Sequence, residues 1–176
     1  MTRSRILFRL LLLPAAAAAA GAALGCSGGV LREPAPGETE VPYPVNLLLP
    51  QELAIHPFTG TKDFDEAGGA KGIDVQIEFK DAFGDSGKAF GTFRFELYTF
   101  RADSPDPKGE RITFWEVSLM DPKTNLLHWK SFAQRYQFKL EWQRTLPVGR
   151  RYALAVTYSS PYSTRLEDER IFVVGQ

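Results

Sequence analysis

The clearest structural signal in this chain is the alternating segment IDVQIEFK at residues 73–80. Its apolar residues Ile73, Val75, Ile77 and Phe79 occupy every second position, with polar or charged residues between them. Successive side chains of a strand point to opposite faces of its sheet, so a period of two predicts a strand with one buried face. A helix would instead place its apolar residues three and four positions apart.

The same alternation recurs on both sides of this segment. It is clear at residues 92–99, 135–142 and 151–158, and weaker at 52–56, 112–119, 126–132 and 170–174. Clusters of Gly, Pro and Asp separate these stretches and indicate turns. Segment 115–127 leaves room for one helical turn. About seven or eight short strands with regular turns predict an all-β fold of two packed antiparallel sheets.

Two local motifs refine this prediction. The stretch LPVGRRYALAV at 146–156 resembles the tyrosine corner of immunoglobulin-like and fibronectin-like sandwiches, with Tyr152 as its tyrosine. The stretch VQIEFKDAFGD at 75–85 resembles a strand and turn of bacterial immunoglobulin-like envelope domains. In that turn Gly84 would supply the positive φ, and Asp81 or Asp85 would bond the turn backbone. The resemblance implies an immunoglobulin-like sandwich and does not imply an activity.

The N-terminus has the pattern of a secretory signal peptide. It carries Arg3, Arg5 and Arg9 without an acidic residue, and an apolar run follows at 10–24. This run is shorter than the roughly 20 apolar residues that a membrane-spanning helix needs. The alanine-rich stretch 15–20 would suit an ordinary signal peptidase, so that cleavage site remains an alternative to the one described next.

The segment ALGC at 23–26 resembles the bacterial lipobox. The resemblance implies a diacylglyceryl thioether on Cys26, cleavage before that residue and an acylated N-terminus. Cys26 is the only cysteine in the chain, and a lone cysteine in an exported protein needs an explanation. We therefore expect a protein of the bacterial cell envelope, held on a membrane by its lipid. Ser27 rather than Asp after the cysteine favours the outer membrane.

These signals divide the chain into three parts. Residues 1–25 are the expected signal peptide, 26–45 the lipidated cysteine with a Pro- and Gly-rich linker, and 46–176 the β-sandwich domain. The whole chain has no net charge, and loss of the three arginines of the signal peptide leaves −3. A weakly acidic domain has no bulk attraction for nucleic acid, so no nucleic-acid partner is predicted.

No motif for catalysis or for a cofactor stands out. His56 and His128 have no second histidine or cysteine at metal-ligand spacing, and there is no G-x-S-x-G motif. We predict neither an enzyme nor a cofactor. A weak calcium candidate is Asp63, Asp65 and Glu66 in the glycine-containing loop 57–71, because calcium binds several oxygen ligands. The alternative is a solvated loop.

Aromatic residues are the remaining candidates for binding. Tyr98 and Phe100 have the opposite parity to the apolar residues of their strand, and Trp115 and Trp129 lie in the weaker strands. Exposed rings can anchor a protein partner or stack on sugars. We therefore predict a non-enzymatic interaction or scaffold module whose partner is an envelope protein or a polysaccharide. The alternative is a carbohydrate or cell-wall binding module that uses these four rings.

Overall fold

The computed structural model of the chain describes residues 39–64, 71–142, 144 and 146–175. The expected signal peptide and Cys26 lie outside this part of the chain, as do Asp65 and Glu66. The described residues form a short 3₁₀-helix at Val45–Leu48, nine strands and one α-helix, α1. The elements after the 3₁₀-helix are β1 (Glu52–Ile55), β2 (Gly60–Asp63), β3 (Lys71–Lys80), β4 (Thr92–Phe100), β5 (Lys108–Ser118), α1 (Pro122–His128), β6 (Trp129–Lys130), β7 (Arg135–Glu141), β8 (Arg151–Ser159) and β9 (Leu166–Val173).

The strands form two antiparallel sheets, which confirms the predicted all-β sandwich. The first sheet has the order β1-β3-β7-β6, and the second has the order β5-β4-β8-β9. Strand β2 also pairs with β3, beyond the end of β1, so β1 and β2 act as one interrupted edge strand. At the interruption Thr59 bonds the backbone of Gln76, since the Gln76 N–H donates to its hydroxyl at 3.0 Å.

The core lies between the sheets and is rich in aromatic rings. The alternating residues of β3 face inward, and Ile73, Val75 and Ile77 have no exposed surface. The Phe93 ring of β4 lies at their centre, with its centroid 4.9 Å from that of Phe138 on the opposite sheet. Burial of such rings supplies most of the free energy that holds a sandwich together.

A buried polar network fastens α1 to the sandwich. The Tyr136 hydroxyl accepts from the Ala89 N–H at 3.0 Å and donates to the Asn125 side-chain oxygen at 2.9 Å. The Asn125 side-chain NH₂ donates to the carbonyl oxygens of Ala89 and Leu119 at 2.7 and 3.1 Å. Because each of these groups is buried, each needs its partner.

The prediction of a strand at 126–132 is wrong over most of its length. Residues up to His128 belong to α1, and only Trp129 and Lys130 form a strand. The helix begins there because Asp121 caps it, accepting from the Thr124 N–H at 2.8 Å, and because Pro122 occupies the first turn. The helical turn expected within 115–127 is present in this form.

Three strand boundaries also differ from the sequence pattern. Strand β2 lies within the predicted loop 57–71, β5 begins at Lys108 and β9 begins at Leu166. These segments carry charged residues at both odd and even positions, so their sequences do not alternate between apolar and polar residues. With the short β2 and β6 included, the described residues hold nine strands where seven or eight were expected.

The predicted turn after β3 has the expected geometry. Gly84 has a φ of +83°, and the Asp81 carboxylate accepts from the backbone N–H groups of Phe83 and Asp85. Tyr152 is buried, with its ring 6.2 Å from that of Phe172. The contacts of the described residues do not include the tyrosine-corner hydrogen bond of Tyr152. Instead, the Tyr158 hydroxyl donates to a loop carbonyl, that of Phe90, at 2.8 Å.

The sandwich has two ends, which we name for the sections below. The linker end comprises segment 39–51 and the loops 81–91, 119–134 and 160–165. The described chain begins at this end, where the Thr39 N–H donates to the Pro161 carbonyl at 2.6 Å. The far end comprises the loop 101–107 and residues 142, 144 and 146–150. No helix among the described residues is long and apolar enough to cross a bilayer.

Candidate functional site

The outer face of the second sheet carries an exposed phenylalanine flanked by two arginines. The guanidinium carbons of Arg94 and Arg111 lie 4.5 and 5.6 Å from the centroid of the Phe114 ring. About half of the surface of Phe114 is exposed, although it lies in the middle of β5. We call Arg94, Glu96, Arg111, Phe114 and Glu116 the arginine–aromatic cluster.

Strand register brings this cluster together. Arg94 of β4 pairs with Glu116 of β5, and Glu96 pairs with Phe114, so the four side chains share one face of the sheet. Arg94 donates to Glu116 at 2.8 Å and to Glu96 at 3.3 Å, and Arg111 donates to Glu96 at 2.8 Å. Each guanidinium is therefore held in place beside the ring by a carboxylate.

Glu96 is the electrostatic centre of the cluster. Burial opposes ionisation of its carboxyl, but the hydrogen bonds and charges of Arg111 and Arg94 outweigh burial and lower its pKa below the ordinary value. Burial and the neighbouring Glu96 raise the pKa of Tyr98. At neutral pH the two guanidinium groups therefore lie on either side of the ionised Glu96 carboxylate, and Arg94 is also paired with Glu116.

The four aromatic residues predicted from the sequence do not form one site. Tyr98 and Phe100 lie half-buried on the outer side of β4, and Phe100 is covered by the Arg151 guanidinium at 4.9 Å. Trp115 packs against the core, and its indole N–H donates to the Glu141 carbonyl of the other sheet at 3.0 Å.

Trp129 also packs against the core, with its ring 5.0 Å from that of Tyr136. The Lys88 ammonium lies 5.7 Å from the centroid of the same ring. Phe114, which the sequence does not single out, is the exposed ring of the second sheet. Only the pairing of Glu96 with Phe114 and of Arg94 with Glu116 could have indicated it.

Both histidines take part in local contacts. The Nδ1 atom of His56 accepts from the Phe58 N–H at 3.2 Å, and burial, followed by the charge of Arg135, lowers the pKa of His56. His128 stacks on Phe138 with a centroid distance of 4.7 Å, and its Nδ1 lies 3.1 Å from the Gln137 carbonyl oxygen. These contacts account for the position of each ring within the fold.

An open cavity of about 300 Å³ lies at the far end. Trp142, Leu146, Val148 and Val174 form its apolar wall, and Lys62, Lys71, Arg144 and Asp63 contribute charged groups. Lys62 is drawn toward the buried carboxylate of Asp74, which lies 3.4 Å away.

Of the calcium candidates, the structure describes only Asp63, and it shares the cavity lining with two lysines. Asp65 and Glu66 lie outside the described residues. Within the described ranges no three His, Cys, Asp or Glu side chains are grouped closely enough to hold a metal ion. Calcium binding by this loop stays a prediction.

Comparison with known proteins does not link this chain to a family. No family model, curated protein or solved structure matches it. Function is therefore inferred from the chemistry of the chain itself.

Proposed function

We propose that this chain is a bacterial cell-envelope lipoprotein, anchored through Cys26 in the outer membrane, whose β-sandwich is a non-enzymatic interaction module. The observation that carries the interaction role is the arginine–aromatic cluster on the outer face of the second sheet. Its partner is an envelope protein that offers an apolar contact for the Phe114 ring.

The sequence of the N-terminus supports the anchor. A basic start, a short apolar run and ALGC at 23–26 follow one another in the order that a lipoprotein signal requires. Each buried CH₂ of an acyl chain contributes about 0.8 kcal/mol to membrane binding, so several chains hold a protein stably where one does not. The Pro- and Gly-rich stretch after Cys26 has the composition of a linker between the lipid and the domain.

The geometry of the arginine–aromatic cluster supports the interaction role. Aromatic residues and arginine are enriched in protein interfaces, and arginine is also enriched among the few residues that carry most of the binding energy. Long arginine side chains normally lose rotamer freedom on binding, which costs about 0.5–1.5 kcal/mol each. Because Glu96 and Glu116 already hold Arg94 and Arg111, part of this cost is met within the folded domain.

The carbohydrate-binding alternative has weaker support. Sugar rings stack on aromatic faces that are free and exposed. Trp115 and Trp129 instead pack against the core, and Phe100 is covered by Arg151. The exposed Phe114 ring already has two guanidinium groups beside it.

Site-specific cross-linking in cells tests the proposed interaction role. A photoreactive phenylalanine analogue replaces Phe114 in one strain and Phe58 in a second strain, because both rings are exposed but Phe58 lies between β1 and β2. We expect a discrete adduct at position 114 that Arg94→Ala and Arg111→Ala reduce. Equal adducts at both positions, or no adduct at 114, would contradict the assignment of this face.

A further inference from the structure

The exposed apolar side chains of the domain are concentrated at its linker end. Fourteen large apolar residues are exposed among the described residues. Four of them lie on α1 or on the loops beside it, and these are Met120, Leu126, Leu127 and Phe132. Three lie on the segment that leads into β1, and these are Tyr43, Val45 and Leu48. Three more, Phe83, Phe90 and Tyr162, lie on the neighbouring loops.

Strand pairing places all of these segments at the same end. Lys80 at the end of β3 faces Glu52, and Thr92 at the start of β4 faces both Ser118 and Ser159. The loops that follow or precede these residues therefore lie side by side. Two backbone bonds tie the N-terminal segment to them: Ala82 N–H donates to the Leu47 carbonyl, and Thr39 N–H donates to the Pro161 carbonyl.

The rest of the surface is different. Val148 is the one large apolar side chain exposed on the described loops of the far end, and Phe58, Phe114 and Ile171 are spread over the sides of the sandwich. Large apolar patches on a soluble domain mark contact with a protein or a membrane, whereas scattered apolar residues need no explanation.

The covalent path of the chain favours a membrane, rather than a protein, as the surface that the linker end contacts. Thirteen residue steps separate Cys26 from Thr39. At the 3.3–3.6 Å per residue of an extended chain, this length spans at most about 45 Å. An acylated Cys26 therefore allows the linker end, where the chain enters the sandwich, to reach the bilayer that holds the lipid.

The charges around α1 fit a lipid surface. Lys88, Lys123 and Lys130 are exposed beside or on the segments that carry the apolar residues. Lysine side chains can extend from an apolar contact toward phosphate headgroups, and each one adds attraction to an anionic leaflet. Asp121 lies at the same place, but its carboxylate is bonded to Thr124 at the start of α1. The exposed acidic residues Glu40 and Asp85 lie on other segments of the linker end.

We propose that the linker end of the sandwich lies on the bilayer that holds the acyl chains, with Leu126, Leu127 and Phe132 inserted among the headgroups. This inference rests on the proposed anchor at Cys26. A lipid anchor and an apolar contact together bind a membrane surface more firmly than either does alone. The far end and its cavity then face away from the membrane.

Lipid-resident quenchers test this orientation. The full-length lipoprotein is purified from membranes as Leu127→Cys or as Val148→Cys, each labelled with an environment-sensitive fluorophore, since acylation blocks the thiol of Cys26. Each sample is reconstituted into vesicles of phosphatidylcholine and phosphatidylglycerol that contain a nitroxide-labelled lipid. We expect quenching at position 127 to be several-fold stronger than at 148. Equal quenching at the two positions would overturn the proposal.

Two further measurements make the result decisive. Iodide in the aqueous phase should quench the label at 148 more than the label at 127. Protection of the label at 127 from both quenchers would mean that protein, not lipid, covers this end.

The intact mass of the same samples reports acylation separately. A mass without acyl chains would refute the anchor itself, while an acylated protein with no lipid quenching at 127 would refute only the orientation. Leu126→Cys repeats the test if Leu127→Cys fails to fold.

Discussion

At the scale of single residues, the Tyr136 hydroxyl is the polar centre of the linker end of the core. It satisfies the Ala89 N–H and the side chain of Asn125, and the ring around it has no exposed surface. A phenylalanine at this position would keep the ring and remove its hydrogen bonds.

We therefore predict that Tyr136→Phe lowers the free energy of unfolding by about 1–3 kcal/mol, because it leaves two buried polar groups without partners. Tyr162→Phe is the matched control, since Tyr162 is exposed, and it should change stability by less than about 0.5 kcal/mol. Urea denaturation of both variants measures the difference. Equal midpoints for Tyr136→Phe and the wild type would show that the network does not stabilise the fold.

The carboxylate of Glu96 gives the cluster a dependence on pH. Its pKa in the folded protein lies below the ordinary value of 4.5, so the ionised form favours the folded state. This contribution is fully present above about pH 4.5 and is lost as the pH falls through the lower folded pKa.

Glu96→Gln should therefore lower stability near neutral pH by a few tenths to about 1 kcal/mol, the range of partly exposed ion pairs. The difference from the wild type should shrink below about pH 4.5. Thermal midpoints of the wild type, Glu96→Gln and the exposed control Glu52→Gln, each measured from pH 3 to 7, would show it. A wild-type advantage that grows on acidification would contradict the role of Arg94 and Arg111.

At the scale of secondary-structure elements, the turn after β3 needs a left-handed residue at one position. Gly84 has a φ of +83°, and a Cβ atom added there would meet no atom within 4 Å. Gly87 has the same open space without a positive φ. An alanine at either position would not be crowded, so a difference in stability between the two variants reports the cost of the positive φ alone.

We predict that Gly84→Ala costs about 1 kcal/mol of stability, since a side chain disfavours the left-handed region. Gly87→Ala should be neutral or slightly stabilising, because alanine restricts the unfolded chain without strain in the fold. Chemical denaturation of the pair measures both effects. Similar losses for the two variants would contradict this account of the turn.

The stability of helix α1 depends on its N-cap residue, Asp121. The backbone N–H and the hydroxyl of Thr124 both donate to the Asp121 carboxylate and lower its pKa. Asp121→Ala should lower the thermal midpoint, whereas Asp121→Asn should keep most of the stability, because asparagine also caps helices. Thermal unfolding would separate them. Equal losses for both variants would indicate that the charge, not the cap, is what matters.

How far the sequence predicts an element depends on how its side chains are distributed. Strand β3 alternates strictly, because one face is buried and the other is not, so it could be placed from sequence alone. Strand β5 has half-exposed residues on both faces, so the sequence pattern does not show where the strand begins. The apolar residues at 126–132 suggested a strand, although Asp121 and Pro122 are the start signal of a helix.

The candidate site is less accessible to sequence reasoning than the fold. Parity places Tyr98 and Phe100 on the outer side of their strand, where the structure also has them. The arginine–aromatic cluster, in contrast, depends on which residue of β5 faces which residue of β4, and this register includes shifts next to Tyr98. Nothing within either strand alone shows that Phe114 lies between Arg94 and Arg111.

At the scale of the whole molecule, the proposals describe a domain with distinct surfaces. The linker end carries most of the exposed apolar side chains, the second sheet carries the arginine–aromatic cluster, and the far end carries an open cavity. If the linker end lies on the bilayer, the cluster is displayed on the side of the sandwich and accessible to partners in the envelope.

The location in the envelope and the orientation on the bilayer depend on the lipid at Cys26, and one measurement tests this lipid most directly. Intact mass and detergent partitioning are determined for the protein extracted from membranes, with wild type and Cys26→Ala side by side. We predict a wild-type mass that begins at Cys26 and includes acyl chains, partitioning into detergent, and loss of both in the variant. A wild-type protein that is soluble, unmodified and cut at another residue would contradict the account.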